Sequence, residues 1–132
     1  MKILLDTNFL MYCAKDNLFF QLEETYPGAK FIILNEVIFE LEKIGNKFKA
    51  KTKDKIAAST AIDYLKLQRE KGNLEIIHKK GNDVDKIIFE EAKKIKEMGF
   101  FVATMDEALA EKLKKAKINL LRIRQKKKIV EE

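Results

Sequence analysis

The sequence predicts an α/β protein built on a parallel sheet with helices on both faces, and three features predict it. Five short apolar runs recur along the chain, segments with apolar residues at three- and four-residue spacing separate them, and residues that favour helix starts follow several of the runs directly. Strands separated by helices pair through crossovers, which makes the sheet parallel and buries it on both sides.

Lys2–Leu5 is the first strand, and Asp6-Thr7-Asn8 after it reads as a helix cap. Helical pieces follow at 9–14 and 16–24, then the Pro27-Gly28 turn and a second strand at Lys30–Leu34. Asn35 can cap a helix whose stripe is Val37, Ile38, Leu41 and Ile44, with Gly45 ending it. Residues 46–55 are basic, lack apolar periodicity and read as an exposed loop. A helix over 56–70 leads to a third strand at Leu74–Ile77. From Asp83 the pattern Val84, Ile87, Ile88, Ala92, Ile95, Met98 predicts a helix stopped by Gly99. A fourth strand at Phe100–Ala103, a helix at 106–116 and a fifth strand at 118–123 lead into a basic tail at about 122–132.

At 132 residues the chain has the length of one domain. One cysteine and one histidine exclude an intramolecular disulfide and a Cys/His zinc site, and 46% hydrophobic with 36% charged residues fits a soluble globular protein. Neither a leader peptide nor an apolar run long enough to span a bilayer is visible, so a cytoplasmic location and no membrane contact are expected. GxGxxG and GxxxxGK[ST] are absent, and Asn8 stands where a haloacid-dehalogenase-type site needs a second Asp.

In open α/β sheets, ligands bind beyond the carboxyl ends of the strands. Asp6, Asp83 and Asp85, and Asp106 follow strands one, three and four, and Glu40 lies roughly 7.5 Å along the helix from Asn35. Singly, each Asp also reads as a cap, and Glu36 is an alternative to Glu40. Jointly, carboxylates gathered at one edge repel unless a cation neutralises them, which predicts a metal. Oxygen-only ligands suit Mg²⁺ or Mn²⁺, and such ions serve phosphodiester hydrolysis.

Asp6-Thr7-Asn8, Val37-x-x-Glu40-Leu41, Asp85-x-x-Ile88-x-x-x-Ala92 and Val102-Ala103-Thr104-x-Asp106-x-x-Leu109 resemble, in order, the four acidic blocks of PIN-domain nucleases. The resemblance implies a three-layer α/β/α sandwich with a five-stranded parallel sheet. It implies Asp6, Glu40, Asp85 and Asp106 as holders of one or two Mg²⁺ or Mn²⁺ ions in an endoribonuclease. Asn8 and Thr104 would support them by hydrogen bonds, with Asp83 the alternative to Asp85. Leu121–Lys128 is similar to the ending of the branch related to small-subunit rRNA-processing endonucleases. The VapC-type toxin branch, which brings an antitoxin partner, is the alternative, as is a non-catalytic RNA-binding or ribosome-assembly module. Homodimers occur in the family and are an expectation by resemblance.

Lys43–Lys55 holds six lysines and one acid, and Lys112–Val130 nine basic residues and no acid. An acidic centre flanked by such stretches suits RNA. The expected contacts are Lys47, Lys49, Lys51 and Lys53 in the loop, and Arg122, Arg124, Lys126, Lys127 and Lys128 in the tail.

Overall fold

The computed structural model describes residues 1–46, 51–95 and 98–132. Its elements are β1 Lys2–Leu5, α1 Thr7–Lys15, α2 Phe19–Thr25, β2 Lys30–Leu34, α3 Asn35–Asn46, α4 Thr52–Glu70, β3 Leu74–Ile77, α5 Val84–Lys94, β4 Phe100–Ala103, α6 Glu107–Lys115, β5 Asn119–Arg124 and β6 Lys128–Glu131. The sheet order is β3-β2-β1-β4-β5-β6, with the first five strands parallel and β6 antiparallel to β5.

The chain steps outward from β1 to β2 to β3, then returns past β1 to β4 and β5. Right-handed crossovers therefore place α1–α4 on one face and α5 and α6 on the other. Contacts agree: α1, α3 and α4 pack on one another, and α5 packs on α6. The central strands carry the core, with Ile3, Leu4, Leu5, Val102 and Ala103 fully buried. Each large aliphatic side chain so placed contributes about 1.5–3 kcal/mol from burial.

The second helical piece starts at Phe19 rather than 16, after Asn17 turns left-handed at φ 56°, and α3 runs through Gly45 to Asn46; three further corrections have clear physical causes. The helix expected from Ile56 begins at Thr52, because its first turn faces solvent and so carries no apolar signal. Asp54 there lies 2.6 Å from Lys15 at the end of α1, and an acid in the first turn also suits the helix dipole. Second, α5 stops at Lys94: Ile95 is extended at ψ 106°, and Met98 is 99% exposed rather than part of the helix's buried stripe. Third, the expected basic tail is an ordered hairpin. Arg124 pairs with Lys128 and Leu121 with Glu131, adding a sixth strand to the five expected. The turn contains neither Gly nor Asn, so it gave no hairpin signal.

Candidate active site

The strand connections reverse direction between β1 and β4, the switch point at which such sheets bind ligands. Asp6 leaves β1 there and Thr104-Met105-Asp106 leaves β4. Asp6 is 6% exposed and Thr104 is fully buried. The Thr7 backbone N–H donates to Asp6 Oδ1 at 2.8 Å, and the Thr104 hydroxyl donates to Oδ2 at 2.8 Å. The Asp106 N–H donates to Thr104 Oγ1 at 3.1 Å, so one threonine ties both acidic turns together. Asp106 is also the N-cap of α6, accepting the Leu109 N–H on Oδ1 at 2.7 Å.

Glu40 reaches the same edge from α3. Its Oε2 accepts the Thr7 hydroxyl at 2.7 Å, a contact across 33 residues that couples α3 to the start of α1. Glu36 belongs to the first turn of α3 and shows no comparable tie among the described residues. Asp83 is the N-cap of α5, its Oδ1 accepting the Lys86 N–H at 3.1 Å. Asp85, two residues on and about 200° further round the helix, is the one raised by desolvation and then by the charges of Asp6 and Asp106.

Electrostatics locate the cluster. Burial is the main cause raising the Asp6 carboxyl above its ordinary range, opposed by the hydrogen bonds from Thr104 and Thr7 and reinforced by Glu40 and Asp106. Asp85 is pushed up to about 6, first by desolvation, then by the charges of Asp6 and Asp106, with a hydrogen bond to Asp106 and the charge of Asp83 adding to it. Four junctions thus deliver acids that act on one another.

Among the described residues, no three His, Cys, Asp or Glu side chains are grouped tightly enough to form a metal cage as they stand. That result and the mutual repulsion are compatible, because carboxylates without a cation between them repel and stand apart. The donor set is all oxygen, which fits a hard divalent ion.

Two expected roles change. Asn8 is exposed and makes no side-chain hydrogen bond among the described residues. About 100° further round α1 than Thr7, it cannot share that residue's direction. Thr7, which carried no expectation from sequence, makes the hydrogen bond to Glu40 instead, and its signal was a hydroxyl beside the first acid. Arg122 is not a surface cation: it is 1% exposed on β5, its Nη2 donates to Glu107, and its Nε has no hydrogen-bond partner. With α6 over one face and β6 along its edge, Arg122 lies inside the sheet layer instead of on a tail.

Arg124 is bound by two hydrogen bonds to Glu132, at 2.7 and 2.8 Å. Glu132 pairs with Leu120, four positions back along β5, so the guanidinium is drawn away from the hairpin end. Lys126, Lys127 and Lys128 are exposed there, and Lys51 and Lys53 are exposed at the start of α4. Lys47 and Lys49 lie outside the described residues. Cys13 is fully buried, and burial raises its thiol far above the range of a nucleophile. No helix of the described residues is long and apolar enough to cross a membrane.

Comparison with known proteins adds four matches. Residues 3–126 fit the family described as PIN like domain. Ribonuclease VapC4 from Methanocaldococcus jannaschii is 34% identical over 129 residues, covering 96% of this chain and 92% of that protein. The PIN domain endonuclease Utp24 superposes with a TM-score of 0.72 at 27% identity, covering 99% of this chain and 90% of the other. A domain of a functionally unknown Methanocaldococcus jannaschii protein superposes with a TM-score of 0.62 at 15% identity, over 99% and 96% of the two chains, a likeness of fold alone.

Proposed function

The chain belongs to the PIN-like domain family, and from that premise we propose a divalent-metal-dependent endoribonuclease that hydrolyses RNA phosphodiester bonds, in the processing of rRNA or other RNA. The observation that carries the proposal is the mutual repulsion of Asp6, Glu40, Asp85 and Asp106 at the β1/β4 switch point. The relatives named a ribonuclease and an endonuclease support the reaction class.

One or two Mg²⁺ or Mn²⁺ ions, when bound, would neutralise charge on the phosphoryl group and lower the pKa of water. The chain's own residues would hold them. Asp6 is fixed through both oxygens, so its direction is set before any ion arrives. Glu40 is fixed by Thr7, and Asp106 by its place at the head of α6. Asp83 is committed to capping α5, which favours Asp85 as the third acid. RNA would approach across Lys51, Lys53 and the lysines of the β5–β6 turn, whose charges match a phosphate backbone without reading its bases.

Incubation of the purified protein with a structured RNA should give cleavage with Mn²⁺ or Mg²⁺ and none with a chelator in excess. Cleavage that survives the chelator, or binding without cleavage at any metal concentration, overturns the proposal, and the second outcome supports the non-catalytic module instead. A toxin ribonuclease with an antitoxin partner is a second reading, favoured by the relative named VapC4. It predicts growth arrest of cells expressing the chain, relieved by a small protein encoded beside it.

A further inference from the structure

The turn joining β5 to β6 has the left-handed backbone that tight hairpins favour, but on residues that do not favour it. The Lys127 N–H donates to the Arg124 carbonyl at 3.1 Å, and the two residues between them, Gln125 and Lys126, have φ of 54° and 57°. Left-handed conformation at two successive positions suits Asn and Gly, and side chains at both are strained. The turn is held by a side chain from elsewhere. Gln21 of α2 donates Nε2 to the Lys127 carbonyl at 3.1 Å and accepts the Ile129 N–H on Oε1 at 2.7 Å. Its carboxamide sits on the outer edge of β6 as a neighbouring strand would.

The charge of the turn is equally distinct. Among the described residues no carboxylate pairs with Lys126, Lys127 or Lys128, whereas Arg124 and Lys114 share Glu132. β5 is paired with β4 as far as Leu121 and Ala103. The next three residues carry the hairpin roughly 10 Å past the end of β4, at about 3.3 Å per residue. Asp106 follows that strand end, and Asp6 follows the neighbouring strand. The turn therefore stands above and to one side of the acidic edge. Two strand spacings of about 4.8 Å separate β5 from β1.

We propose that the β5–β6 turn is a phosphate subsite for the RNA strand as it leaves the acidic centre, pre-shaped by Gln21. This rests on the nuclease reading and adds to it a place that holds the substrate's flank, together with a positioning residue that touches no substrate. The combined offset of about 14 Å corresponds to roughly two to four nucleotides.

Binding of oligouridylates of increasing length to an Asp6→Asn protein, followed by fluorescence anisotropy across a salt series, tests it. Affinity should step up once the strand is long enough to span centre and turn. Lys126→Gln with Lys127→Gln should abolish the step and flatten the log–log salt slope by about 1.4, at about 0.7 per phosphate contact. Gln21→Leu should lose the step while keeping every charge, with its melting temperature confirming that it is folded. A step and slope that persist in the double-lysine variant overturn the subsite. A step lost there but intact in Gln21→Leu overturns the positioning role. If no oligonucleotide of any length binds, the subsite is overturned while the nuclease reading is untouched, since that reading stands or falls on metal-dependent cleavage by the unmodified protein.

Discussion

Asp6→Asn is expected to lower metal-dependent RNA cleavage by about a thousandfold, the equivalent of several kcal/mol of charge stabilisation at 1.36 kcal/mol per tenfold, without lowering the melting temperature. The two halves together separate a functional acid from a cap. Asn keeps an oxygen for the Thr7 N–H, and its amide can donate to the Thr104 hydroxyl, which retains a proton to offer elsewhere. What disappears is a buried charge that burial, Glu40 and Asp106 all disfavour. The metal-free fold should therefore be as stable as before, or more so. Thr104→Val makes the complementary case: it leaves the charge and removes the tie between Asp6 and the Asp106 N–H. A buried acceptor and a donor lose their partner, at a cost of about 1–3 kcal/mol in stability. Initial rates and thermal melts on the two variants check both. Wild-type rates in Asp6→Asn would make Asp6 a cap, whereas loss of rate and stability together would make it structural.

Much of this architecture was legible because burial writes itself into sequence. Lys30–Leu34 and Leu74–Ile77 are strands with the bounds expected of them, since a run flanked by turn residues has little freedom in where it ends. The acids were legible in the same way, because a residue directly after a strand has its position set by the strand. Elements whose signal lies outside their own segment were not legible. β6 is four residues at the sheet's edge, and what holds its outer side is Gln21, more than a hundred positions away. Thr52–Lys55 looked like loop because a solvated first turn has no stripe. Arg122 looked like part of a basic tail, since charge alone does not tell a buried guanidinium on Glu107 from a free one. Asp83 and Asp85 stand only two residues apart, about 200° of helix, and the cap hydrogen bond that occupies Asp83 is not something spacing reveals.

Metal-free protein should become more thermostable as pH falls from about 7 to 5, the reverse of ordinary acid unfolding. Asp85 has a folded value of about 6 against 3.8 unperturbed, and Asp6 is shifted in the same direction. An acid whose pKa is raised by folding binds its proton more tightly in the native state, so stability drops as pH rises through that window and the full penalty stands above about 6. Groups of opposite sense act lower. Asp54, held down by its hydrogen bond with Lys15, and Glu132, held down by Lys114 and Arg124 against partial burial, lose their contribution only below their ordinary 3.8 and 4.5. Mn²⁺ should invert the profile, because an ion that needs the charged carboxylates competes with their protons. At a hundred times its dissociation constant it would add about 2.7 kcal/mol near neutrality. For a chain of this length that is a rise of roughly 10 °C in melting temperature. The gain should shrink below pH 6 as Asp85 takes up its proton, and vanish in Asp6→Asn together with Asp106→Asn. Melting curves with and without Mn²⁺ between pH 5 and 7.5 decide it. A flat metal-free profile with no Mn²⁺ shift would mean that these acids are too far apart to repel one another or to share an ion. The proposed chemistry would then have no physical basis at this edge.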